Sequence, residues 1–175
     1  MPILRQIAQL GHPVLRAPVD QVAFPASDAI QSLVADMLLT LRDSNGVGIA
    51  APQVYESKAI FIVASRPNPR YPTAPLMNPE VVINPEILER STTIVKDWEG
   101  CLSIPGIRAE VPRHREIKVR YQSIDGLLIE RDFSDFVARI FQHEDDHLRG
   151  IVFFDRLESP RDIVTEKEFQ RLMAT

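Results

Sequence analysis

Two histidines four residues apart, His143 and His147, lie inside a stretch whose apolar residues Phe133, Val137, Ile140, Phe141 and Leu148 recur at helical spacing. On a helix, residues at that separation stand one turn apart on one face. The run His143-Glu144-Asp145-Asp146-His147 therefore aims two imidazoles at one point and brings Glu144 close to a water bound there, the arrangement of H-E-x-x-H metal sites. The spacing predicts a helix capped by Ser134 or Asp135 and stopped at Gly150. Any fold for this chain has to form that helix and bring further ligands to it.

Composition narrows the setting. The chain has 175 residues, 45% hydrophobic and 25% charged, the balance of an ordinary globular domain. A domain of that length buries roughly 70% of the surface its unfolded chain exposes, so it needs no covalent staples. Cys101 is the only cysteine, which excludes a disulfide within the chain and leaves a free thiol suited to a reducing compartment. The longest apolar run, Ala59 to Ala64, falls far short of the roughly 20 residues of a membrane span. A net charge of -4 argues against a dedicated nucleic-acid binder. Arg5 and Arg16, with no acid before Asp20, are compatible with a transit peptide, but no secretory signal is present.

Periodicity predicts an earlier helix over Asp28 to Leu41, ending near Asn45-Gly46, with Asp28 and Gln31 as a capping box. Ala59–Ala64 and Val81–Ile83 read as buried strands, separated by a surface loop with four prolines between Arg66 and Pro75. Glu116 to Ile124 alternates and turns at Asp125-Gly126 into Leu127–Glu130, a hairpin. Thr165 and Glu168 form a capping box for a last short helix. Strands in the middle with helices near both ends give one α+β domain over residues 1–175.

Two histidines do not complete a catalytic metal site, which has three protein ligands and an open position. Phe153 stands where one metalloprotease class has its third histidine, so that class is excluded. Glu166, at the spacing of a thermolysin-like ligand, and Cys101, a strong thiolate ligand for zinc or iron, both remain candidates. Cys101 lies in Glu99-Gly100-Cys101-Leu102-Ser103, and glycines flank it in a chain with 7 glycines and 14 prolines, as expected where backbone approaches a ligand closely. A second glycine pair lies in Gly46-Val47-Gly48-Ile49-Ala50-Ala51-Pro52-Gln53.

Taken together and in this order, G-x-G-x-A-A-x-Q, E-G-C-L-S and Q-H-E-x-D-H-L resemble the three signature segments of the peptide deformylases. The similarity runs from about Ile3 to Leu157 and includes Pro13–Arg16 and Asn84-Pro85, which counts against the transit-peptide reading. The resemblance implies antiparallel sheets packed around a central metal-binding helix, with a variable C-terminal tail over residues 158–175. It implies Cys101, His143 and His147 as ligands of one divalent ion, Fe2+ by preference, with Zn2+, Ni2+ or Co2+ able to substitute. The implied reaction removes the formyl group from the N-terminal formyl-methionine of new polypeptides and releases formate. Glu144 would carry the proton, while Gln53 and the backbone N–H of Leu102 would stabilise the oxyanion. Gly46, Val47, Gly48 and Gly100 would hold the substrate backbone, and Glu99 would pair with Arg113.

Phe136 and Arg139 share the helix face of the metal ligands and depart from the aliphatic residues of the better-known bacterial members. Arg139 has three readings: it narrows the methionine pocket, anchors a substrate carbonyl, or turns aside to an acid such as Asp135. The expected partners are formyl-methionyl nascent peptides and, beyond them, the ribosome, in a bacterial-type cytoplasm rather than an organelle. The rival readings are a metallopeptidase using Glu166 as third ligand and a metal-binding or peptide-binding module without catalysis.

Overall fold

In the computed structural model, which describes residues 1–174, the chain runs through α1 (Asp28–Asp43), β1 (Gly48–Ala50), β2 (Ile60–Val63), β3 (Glu80–Arg90), β4 (Ile94–Cys101), β5 (Ile104–His114), β6 (Glu116–Gln122), β7 (Leu128–Ser134), α2 (Asp135–Leu148), β8 (Ile163–Thr165) and α3 (Glu166–Met173). Antiparallel pairing gives a five-stranded sheet in the order β1-β2-β3-β6-β7 and a three-stranded sheet in the order β4-β5-β8.

The apolar run at Ala59–Ala64 is continuous because β2 is covered on both faces. Successive side chains of a strand alternate between faces. Phe61 and Val63 pack with Ile140 and Phe141 of α2, whereas Ile60 and Ile62 pack with Leu33, Met37 and Leu41 of α1. Each such side chain contributes roughly 1.5–3 kcal/mol when fully buried. The Phe61 and Phe141 rings meet edge to face at 4.9 Å, which seats α2 on the sheet. A third cluster, including Ile104, Val111, Val152 and Phe153, packs around Cys101 beside the smaller sheet. The helix bearing the histidines thus lies between the two sheets, and eleven of its residues are buried, among them His143, Glu144, Asp145, Asp146 and His147.

Several local expectations hold. Gly150 takes φ 68 just past α2, and half of the box expected at Thr165 and Glu168 forms, the Thr165 hydroxyl accepting from the backbone N–H of Glu168 at 3.3 Å. No helix or strand lies between Val63 and Glu80, the proline-rich stretch. Others need correction. The cap position of α1 is Ser27, without a side-chain bond, and Asp28 already lies in the first turn, so Asp28 and Gln31 form no capping box. Ser134 occupies the cap position of α2, again without a side-chain bond. The strand at Val81–Ile83 extends to Arg90 through an irregularity at Asn84, whose φ of 52 is stabilised by side-chain bonds to Val22 and Gln122. The segment carrying Cys101, to which the sequence assigned no element, is a long β-hairpin formed by β4 and β5. Its glycines and prolines at 100, 105, 106 and 112 hid the alternation. The N-terminal segment is part of the fold: Ile3 and Arg5 bond Asp36, Ala8 N–H donates to Gln53 O and Leu10 N–H to Ser103 O.

Candidate metal centre and peptide pocket

Helical spacing stacks His143 and His147 on the buried face of α2, and β4 delivers Cys101 to them from the other sheet. The register between β4 and β5 slips between Glu99 and Cys101, a bulge of the kind that re-aims a side chain. Cys101 Sγ comes to 3.3 Å from His147 Nε2, and one ligand atom from each of Cys101, His143 and His147 lies within 4.8 Å of the others. His143 is oriented by Glu99, whose Oε2 lies 2.8 Å from Nδ1. That bond places the proton on Nδ1 and leaves the other ring nitrogen for a metal. Burial works against a Cys101 thiolate, but the neighbouring His147 and His143 overcome it and hold the thiol well below its usual range. A soft thiolate with two imidazoles, all buried, is a donor set that fits zinc or iron.

Glu99 is a buried hub. Arg113 meets it through two nitrogens at 2.9 and 3.1 Å and reaches on to Asp146 at 2.5 Å; Arg139 adds a contact at 2.8 Å. Burial works against the charge, but the Arg113 guanidinium foremost, and His143 after it, outweigh burial, so Glu99 stays ionised far below the ordinary carboxylate range. Asp146, which the signature Q-H-E-x-D-H-L contains without assigning it a role, is the second anchor of Arg113 and also binds Arg156 at 2.6 Å. No spacing rule marks such a partner.

Glu144 is buried next to the ligands. One of its oxygens, Oε2, has no hydrogen-bond partner, and burial pushes the carboxyl up to about 7. Gly48 makes room for it: a Cβ there would lie 2.4 Å from Glu144 Oε1 and 2.8 Å from Ile140. Gln53 stands in a short 3-10 turn after β1, its Oε1 accepting from Ala50 N–H at 2.8 Å. Its Nε2 is thereby aimed at Ser103 Oγ, 3.2 Å away, and at Cys101 Sγ, 3.5 Å away.

Gln53, Glu99, Cys101, His143 and Glu144 line one pocket with Gly46, Val47, Gly48, Gly100, Leu102, Phe136, Arg139 and Ile140. β1 borders it as the edge strand of the larger sheet. Arg70, Tyr71 and Trp98 complete the lining, and the sequence offered no pattern that would single them out. Arg139 borders the pocket but sends its guanidinium to Glu99 and to the carbonyls of Val111 at 2.7 Å and Val95 at 2.6 Å. Asp135 is not its partner and pairs with Arg115 instead. Glu166 lies away from the ligands, bound to Arg108 at 2.7 Å, which removes the rival third ligand and the peptidase reading built on it.

The chain was compared with known proteins. The polypeptide deformylase family profile matches residues 4–162. A peptide deformylase of Nostoc sp. is 54% identical over 98% of this chain and 96% of its own length, and one from Shewanella oneidensis is 44% identical over 93% and 89%. A class I type b peptide deformylase from Acinetobacter baumannii, solved with Met-Ala-Ser bound, superposes with a TM-score of 0.87 at 46% identity, covering 90% of this chain and all of the other. The Thermotoga maritima peptide deformylase gives 0.80 at 36% identity, covering 90% and 99%. With its thiolate and paired histidines converging as the folded chain requires, this protein belongs to the polypeptide deformylase family.

Proposed function

We propose that this chain hydrolyses the formyl amide at the N-terminal methionine of new polypeptides, releasing formate, with Cys101, His143 and His147 holding one divalent ion, Fe2+ by preference. The observation that carries this reading is the convergence of three buried ligand atoms beside a Glu144 carboxylate with one oxygen unpartnered. When bound, the ion supplies Lewis-acid polarisation of a carbonyl and acidifies a water. The remaining work falls to side chains. Glu144 takes the proton of the attacking water and returns it to the leaving amine. Gln53 Nε2 and the Leu102 N–H donate to the oxyanion, and a donor of this kind typically contributes about 3 kcal/mol.

The free edge of β1, with Val47 between Gly46 and Gly48, receives the peptide backbone as an added strand, and Gly100 closes on it from β4. Phe136 borders the methionine side chain. The Acinetobacter baumannii relative binds Met-Ala-Ser, a peptide with the free methionine amine that this reaction would leave. A bacterial cytoplasm, where formylated chains are made, is the proposed setting.

The test is formate release from formyl-Met-Ala by protein loaded with Fe2+ without oxygen. Activity in the wild type, with metal and activity both lost in Cys101→Ser, is the expected result. Full metal occupancy in Cys101→Ser, or no formate from loaded wild type, overturns the reading.

A further inference from the structure

The catalytic helix has a second polar face. Asp145, Asp146 and Arg149 follow Gln142 by three, four and seven residues, a stripe on another side of α2 from the one carrying His143 and His147. That stripe floors an open groove of about 700 Å³, whose walls include Arg90 of β3, His114 of β5 and Arg156. Among the described residues, the lining of this groove and that of the catalytic pocket have none in common.

Four guanidiniums line the groove, those of Arg90, Arg113, Arg149 and Arg156, against three carboxylates, those of Asp145, Asp146 and Glu158. Depth separates the two signs. Asp145 and Asp146 are each 4% exposed and already held, Asp145 by Arg149 at 2.9 Å and Asp146 by Arg113 and Arg156 at 2.5 and 2.6 Å. Glu158 pairs with Lys96 at 3.2 Å. The Arg149 and Arg156 side chains, by contrast, are 53% and 44% exposed. Both engage their carboxylates through Nε and Nη2, which leaves Nη1 of each for another acceptor. Arg90 is exposed and, among the described residues, its guanidinium makes no hydrogen bond or ion pair.

What solvent meets in the groove is therefore a set of cationic donors above carboxylates that are already engaged. Guanidinium donors favour a ligand that offers several oxygens in a fixed array, and a tetrahedral phosphate group presents them on every side. We propose that Arg90, Arg149 and Arg156 form a binding site for a dianionic phosphate group, either free or as the monoester of a small molecule. The site stands apart from the metal ligands and does not depend on the deformylase reading.

Calorimetry of the zinc-loaded protein against inorganic phosphate, in ~0.15 M NaCl so that long-range attraction is screened, reads the site directly. One phosphate per chain should bind with millimolar or tighter affinity. Arg90→Ala removes a side chain bonded to nothing else in the described fold and should weaken binding about five- to tenfold. The double variant Asp145→Asn, Arg149→Gln removes a donor while leaving net charge as it was. Binding should again fall about fivefold or more, whereas general attraction to a basic surface would leave it unchanged. Arg120→Ala takes one positive charge from β6, outside the groove, and should bind as wild type does. Glycerol phosphate in the same titration identifies the source: binding of both compounds admits a monoester, and binding of phosphate alone restricts the site to the free ion. No saturable binding up to about 20 mM overturns the site, since a millimolar Kd would be filled there. Equal affinity in wild type and Arg90→Ala, the result expected of phosphate bound at the metal instead, overturns it too, as does equal weakening by Arg120→Ala.

Discussion

Glu99 Oε2 stands 2.8 Å from His143 Nδ1, so a carboxylate on β4 fixes the ring of a histidine on α2. The same carboxylate pairs with both Arg113 and Arg139. Glu99→Ala would leave two guanidiniums buried without it and the imidazole free to turn. Metal affinity should fall roughly 10- to 100-fold, and the fold should lose about 3–5 kcal/mol. Metal titration and denaturant unfolding check both; unchanged metal affinity would show that Glu99 does not orient His143.

Glu144→Ala separates proton transfer from metal binding. The ligands remain, so metal content should stay near one per chain while kcat falls about 10²- to 10⁴-fold. Elemental analysis alongside formate release decides it, and parallel loss of metal would make Glu144 structural.

Gly48→Ala tests the space beside that carboxylate. The added methyl would meet Glu144 Oε1 at 2.4 Å and Ile140 at 2.8 Å, so β1 or Glu144 has to move. Overpacking of this kind costs about 1–3 kcal/mol. The expected result is a lower melting temperature with reduced kcat, and a variant matching wild type in both would contradict the packing described.

Arg139→Leu should lower stability and metal retention more than it alters the ranking of substrates, because the guanidinium is spent on Glu99 and three backbone carbonyls. A panel of formyl-peptides differing at the first side chain, with a thermal melt, separates the outcomes. A reordered panel with an unchanged melt would restore a direct substrate role.

Acid should release the N-terminal segment through Asp36. Burial alone would raise this carboxyl, but the Ile3 N–H and the Arg5 guanidinium hold it below its ordinary value. Because the folded value is depressed, its stabilisation is complete above the unfolded value of about 3.9 and is lost as pH falls through the folded one. The stability gap between wild type and Asp36→Asn should therefore be full at pH 6 and shrink below pH 4 or so. Urea unfolding at several pH values measures it, and a gap independent of pH would sink the assignment.

What could be read from the residues alone follows the range of the interactions. The ligand helix was legible because His143, His147 and the stripe from Val137 to Leu148 share one local period. The hairpin at Glu116–Glu130 was legible for the same reason, with Asp125-Gly126 as its turn. β4 and β5 were not, since their regularity lies in pairing across strands, such as Trp98 with Glu110, rather than in alternation along either one. Cys101 could be joined to the histidines only through family resemblance, because its 46-residue separation from His147 leaves no local trace. Tyr71, Arg108 and Phe169 meet only once three distant segments have folded together.

The bonds from Ala8 to Gln53 and from Leu10 to Ser103 tie one short extended segment to two turns about 50 residues apart, one bearing Gln53 and the other following Cys101. The distance between the amide donor and the thiolate is thus set partly by a clasp outside both turns. Exchange of those two backbone protons with solvent would then report on the catalytic centre from a place where no catalytic atom sits. Substitutions around residue 9 can loosen the centre without touching it.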